Sequence, residues 1–112
     1  MCHKLLIFQK SYDLLLWLFP VINRIPKSHR QVLGKILEEH GLSLLLLIIK
    51  ANQSQGEPRS NLQLAISTDL DSLRILLRLT KDLKFMSIKQ YTMGTEKINE
   101  IARMLNSWMK VV

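Results

Sequence analysis

A chain of 112 residues with 47% apolar residues fits one packed domain, residues 1–112, and is too apolar to remain disordered. Aromatics reach only 6% while leucine dominates, which argues against a β-sandwich and for packed helices. Sixteen Lys/Arg against nine Asp/Glu leave a formal charge of +7, an excess that suits RNA, DNA, an acidic protein surface or a membrane face without choosing among them.

The beginning of the chain does not read as a signal peptide, because Leu5-Leu6-Ile7-Phe8 is cut short by Gln9, Lys10 and Ser11. The single cysteine, Cys2, permits no internal disulfide. The most hydrophobic run, "LSLLLLII" at 42–49, falls far short of the ~20 residues a bilayer crossing needs. These features together read as a soluble cytoplasmic protein with no membrane partner.

Helix one is predicted over about 5–23, with Phe8, Tyr12, Leu15, Phe19 and Leu14, Trp17, Leu18, Val21 as adjoining apolar stripes. Pro20 is expected to kink its last turn, and Pro26 stiffens the connection that follows. Helix two spans about 28–50, with Val32, Leu33, Ile36 and Leu37 on one side. From Leu42 onward it is apolar almost all round, and a helix of that kind is buried on more than one face. In a small bundle the second face meets another subunit, so Leu44, Leu45, Leu47 and Ile48 are the expected oligomer contacts.

The segment "ANQSQGEPR", 51–59, reads as the one long loop. Helix three follows over about 60–83, with Leu62, Ile66, Leu73, Leu76, Leu77, Leu79 and Leu83 expected inside. Helix four covers about 87–110, where Ile88, Tyr91, Thr95, Ile98, Ala102, Leu105, Met109 and Val112 recur in steps of three and four. Helices two, three and four each begin on a Ser-x-x-Gln frame, at 28–31, 60–63 and 87–90. In such a capping box the serine oxygen accepts a first-turn N–H and the glutamine reaches back to the serine N–H. Short connections make successive helices antiparallel, so the expected architecture is an all-α, up-down-up-down four-helix bundle.

Chemistry-bearing motifs are sparse. The histidines His3, His29 and His40 complete no HExxH site, and the glycines at 34, 41, 56 and 94 are too scattered for a phosphate loop. Cys2 and His3 belong to an ordinary terminus. Acids fall beside bases as helix-surface pairs, Asp71 with Arg74, Arg78 with Asp82 and Glu100 with Arg103. No catalytic residue, metal site or cofactor is expected, and the chain does not read as an enzyme.

The basic residues are more informative. Arg74, Arg78 and Lys81 fall within an arc of roughly 60° on helix three, with Lys84 extending the line. Arg24, Lys27 and Arg30 surround the first connection, Lys35 follows on helix two, and Arg59 precedes helix three. These are the candidate contacts to nucleic acid or an anionic partner, where arginine forks and lysine point charges grip phosphates without reading bases. Trp17, Tyr12 and Tyr91 lie on core-like stripes and offer no stacking platform, which favours phosphate and shape recognition over base readout.

The stretch "FQKSYDLLLWLFPVINRIPKSHRQVLGKILEEHGLSLLLLIIKAN", with the polar middle loop, basic third helix and seam-like fourth, resembles the accessory variability determinant (Avd) proteins of diversity-generating retroelements. These belong to the wider four-helix-bundle family that includes proteins encoded in 23S ribosomal RNA intervening sequences. Where the ribosomal branch carries an arginine pair and small residues, "KILEEHGLSLLLLII" has Lys35 and a leucine block, which favours the retroelement branch. The resemblance implies a non-enzymatic basic protein that forms a pentameric ring. It further implies association with a reverse transcriptase and its template RNA, with DNA as a further partner, in support of mutagenic cDNA synthesis. A ring of five chains at +7 sums to about +35, enough to make association fast and salt-sensitive. The alternatives are an intervening-sequence-type bundle protein and a structural adaptor for an acidic protein.

Overall fold

The computed structural model describes the backbone of residues 2–111 and side chains from Leu6 to Val111; the side chains of Cys2 and His3, and Val112 of the fourth-helix seam, lie outside the described residues. The elements are α1 (Cys2–Asn23), α2 (Lys27–His29), a π-helical turn (Arg30–Gly34), α3 (Lys35–Asn52), α4 (Gly56–Asp82) and α5 (Ile88–Met109). α2, the π turn and α3 follow one another without a break, so the described residues form four rods and no strand. At 1.5 Å per residue α4 is about 40 Å long, matching the 44 × 23 × 19 Å extents of the molecule.

Each neighbouring pair runs antiparallel, as contacts at two levels show. α1 meets the second rod where Gly41 packs on Leu15 and Gly34 on Ile22. α3 meets α4 at His40–Asp69 and again at Arg59–Ala51. α4 meets α5 at Arg74–Asn99 and Lys81–Tyr91, and α5 closes on α1 at Lys10–Glu100 and Gly94–Trp17. The result is the expected up-down-up-down four-helix bundle, around a core that includes Leu14, Leu18, Ile22, Leu37, Leu44, Ile48, Ile66, Leu73, Leu77, Ile98 and Leu105.

The helix starts differ from the predicted ones. Only Ser87 forms its capping box: its side chain accepts from Gln90 N–H at 3.0 Å, and Gln90 Oε1 accepts from Ser87 N–H at 3.0 Å. The second rod starts earlier than Ser28, with Pro26 as N-cap; the His29 and Arg30 amides donate to Pro26 O at 2.8 and 3.0 Å. α4 starts at Gly56, so Pro58 sits in its first turn, where a missing N–H would have had no helical acceptor. Ser60 is therefore inside the helix, and its hydroxyl donates back to Gly56 O at 3.4 Å. The predicted long loop shrinks to Gln53–Gln55.

Several inward assignments also move. Val32 is 77% exposed and Ile36 is also exposed, while Leu33 and Leu37 are buried in phase with Gly41, Leu44 and Ile48, so the inward face of the second rod lies one residue on from Val32 and Ile36. Leu79 and Leu83 are exposed, and Leu70 takes a core position between Ile66 and Leu73. On α5, Ile88 is 75% exposed and Met109 is also exposed, whereas Gly94, Ile101 and Trp108 are buried. Gly94 is a point of close approach rather than a tolerated weakness: a Cβ there would lie 2.7 Å from Trp17 Cη2 and 3.0 Å from Leu77 Cδ1. Among the described residues no helix is long and apolar enough to cross a membrane.

Candidate nucleic-acid interface

Antiparallel order places the first and third connections, α1 to α2 and α4 to α5, at the same end of the bundle. Residues 23–30 and 81–90 carry six Lys/Arg, namely Arg24, Lys27, Arg30, Lys81, Lys84 and Lys89, against a single acid, Asp82. The two connections touch: the His29 and Phe85 rings stack at 5.0 Å between centroids with 28° between their planes. Two groups of cations that are 50 residues apart in sequence thereby become one surface.

Each connection is held by its own backbone. Arg30 Nε–H donates to Ile25 O at 3.2 Å, so that guanidinium both braces the first connection and keeps donors free at its outer edge. The second ends α4 in a Schellman turn: Phe85 N–H donates to Thr80 O at 3.0 Å and Lys84 N–H to Lys81 O at 2.8 Å. Lys84 takes the left-handed position, φ 67°, where glycine is usual because a Cβ is strained. Beside it, Lys81, Lys84, Ser87 and Gln90 line an open groove of about 680 Å³.

Carboxylate pairing separates the candidate cations. On the α4 flank, Arg74 donates to Asp71 Oδ1 at 2.7 Å and to Asn99 Oδ1 at 3.2 Å. Arg78 lies 3.8 Å from Asp82, and Lys81 lies 3.3 Å from the same carboxylate with its ammonium 4.5 Å from the Tyr91 ring centroid. The predicted arc thus exists in space, but carboxylates occupy it. Arg24, Lys27, Arg30, Lys35, Lys84 and Lys89 make no ion pair with a carboxylate among the described residues. Of the predicted surface pairs, Glu100 takes Lys10 at 3.4 Å in place of Arg103.

Arg59 stands apart. Its Nε–H donates to Ala51 O at 3.0 Å and its Nη2 to Asn52 O at 3.4 Å, and the guanidinium sits 5.7 Å from the Trp108 ring centroid. It caps the carbonyl end of α3 at the opposite end of the bundle, a structural duty that engages two of its five N–H donors.

The apolar second face of α3 is real, but its residues differ from those expected. Leu44 and Ile48 are fully buried in the chain's own core, and Leu45 and Leu47 pack partly against it. Leu42, Leu46 and Ile49 are the exposed positions, and Tyr12 and Leu16 on α1 are exposed as well. Where every residue from Leu44 to Ile49 is Leu or Ile, side-chain type carries no signal of which positions face inward.

Three functional features have no counterpart in the sequence reading. Lys89 lies inside the third Ser-x-x-Gln frame and joins the basic end once helix order is known. His29 and Phe85 pair only through tertiary structure. His40 Nδ1 donates to Asp69 Oδ1 at 2.9 Å across α3 and α4, with the other carboxylate oxygen buried and unpartnered; among the described residues no third ligand completes a metal cluster with them.

Among curated proteins no sequence matches this chain. The bAvd-like family profile matches residues 5–112, nearly the full length, and the chain belongs to that family.

Proposed function

We propose that this protein is the non-enzymatic accessory subunit of a diversity-generating retroelement, binding template RNA through its basic end and holding it near the reverse transcriptase. Family membership supports the retroelement setting. The single observation that carries the RNA reading is the convergence of Arg24, Lys27, Arg30, Lys84 and Lys89 on one end, without carboxylate partners among the described residues. Such cations displace counterions from a phosphate backbone, so binding is strong at low salt and falls steeply as salt rises. Lys35 extends this surface down the second rod. Arg74, Arg78 and Lys81 contribute less, because Asp71 and Asp82 already hold them.

Homo-oligomerisation is part of the same proposal. The exposed set Leu42, Leu46, Ile49, Tyr12 and Leu16 is the apolar face a second copy would cover, and a ring of such chains would present several basic ends to one RNA. A monomeric solution mass for the wild-type chain would remove this part.

The test of the RNA reading is fluorescence anisotropy of a labelled structured RNA at 50 and 200 mM salt. Neutralising four phosphates predicts a loss of about 50- to 150-fold between the two, from single-strand to duplex character of the site. An affinity indifferent to salt overturns the reading. Nuclease treatment before a transcriptase pull-down then separates an RNA-bridged complex, which dissolves, from a protein-only adaptor, which persists.

A further inference from the structure

We infer that His29 and Phe85 form a stacking platform for an unpaired base of the bound strand, an inference that rests on the RNA reading above. Phosphate contacts alone would make the basic end indifferent to whether bases are paired. The aromatic pair at its centre changes that. Phe85 is half-buried and fixed from behind by the Schellman hydrogen bond to Thr80 O at 3.0 Å. His29 is fixed by its own amide on Pro26 O at 2.8 Å, lies against Phe85 on one side and is exposed to solvent. The backbone carrying each ring is thus set before any ligand arrives, and the exposed His29 ring, packed on Phe85 on one side, has a face available to stack.

Its surroundings suit a nucleotide. Arg30 adjoins His29 and Lys84 adjoins Phe85 in sequence, and both are exposed cations at the end of the bundle that carries the ring pair. Directly beside the pair, Val32, Ile36, Leu79 and Leu83 line an open, mostly apolar groove of about 340 Å³, a surface that takes an extruded base or sugar face without asking for hydrogen bonds. Base–aromatic stacking is tolerant of sequence because every base has a π-face. A base inside a duplex has no free face to offer, so the platform selects unpaired strand, whereas charge density alone would favour duplex.

The experiment compares the full-length protein's affinity for labelled oligoadenylate and for an abasic ribose-phosphate oligomer of the same length and charge. Wild type is expected to prefer oligoadenylate by about tenfold. His29→Ala should bring that ratio close to one, His29→Tyr should preserve it, and Phe85→Leu, which keeps apolar volume, should lower it. Equal affinities for the two oligomers in wild type, each falling with salt, would overturn the platform and leave the RNA reading standing. Binding of neither oligomer would overturn the platform, and absence of binding to the structured RNA as well would overturn both. An intact ratio in His29→Ala accompanied by a changed solution mass would also overturn the platform and assign this face to a second copy of the chain.

Discussion

The flank of α4 and the end of the bundle carry the same kinds of residue with opposite consequences. Arg74, Arg78 and Lys81 form a regular helical arc, yet Asp71 and Asp82 lie within 4 Å of them. Arg24, Lys27, Arg30, Lys84 and Lys89 share no single helix, and the first and third connections gather them at an end where residues 23–30 and 81–90 hold one acid, Asp82. A periodic stripe of charge on a helix invites i,i+3 and i,i+4 partners of the opposite sign, which stabilise the helix and quench the stripe. Connections at a shared end have no such partners built in. The proposed polyanion contact is therefore placed where the chain turns.

Breaking the contrast takes substitutions on both sides. The largest effect is expected from Arg24→Glu with Lys27→Glu, which should lower RNA affinity about a hundredfold at low salt while leaving the circular dichroism melt within a few degrees of wild type. Next comes the interior pair. His40→Ala strands the buried Asp69 carboxylate and should cost about 2 kcal/mol in urea denaturation without altering the salt dependence of RNA binding. Gly94→Ala should cost a similar amount by pressing a methyl into Trp17.

Smaller effects sharpen the contrast. Arg74→Ala removes an ion pair that is about a third exposed on the arginine side, and should lower stability by less than about 1 kcal/mol and RNA affinity by no more than about threefold. Lys84→Gly should do two opposite things. Relieving the left-handed strain should raise stability by about 0.5 kcal/mol, while loss of one cation should weaken RNA binding by about threefold. A variant that gains stability and loses affinity would show that this lysine is kept at a strained position for its charge.

The bundle itself was legible because leucine periodicity is a physical signal of which face is buried. Ser87 was legible too, since nothing upstream competes with it for the start of α5. Ser28 and Ser60 misled because Pro26 and Pro58 favour helix entry ahead of them, through a preset φ and an amide hydrogen that is not needed there. Val32 and Ile36 misled because they lie beside Leu33 and Leu37 with the same apolar character, and only the phase shared with Gly41, Leu44 and Ile48 tells which pair faces inward. The basic end was half legible. Arg24, Lys27, Arg30 and Lys84 stand out singly, but their union depends on helix order and on the His29–Phe85 contact. Arg59 reads as a surface cation in the sequence because its acceptors, the Ala51 and Asn52 carbonyls, exist only once α3 has ended there.

The most direct measurement is the slope of log affinity against log salt for structured RNA, compared between two double variants. Lys27→Ala with Lys84→Ala should flatten the slope by between one and two units, whereas Arg74→Ala with Arg78→Ala should flatten it by less than half a unit. Equal flattening by the two pairs, or a larger effect from the α4 flank, would contradict the assignment of polyanion binding to the connection end of the bundle.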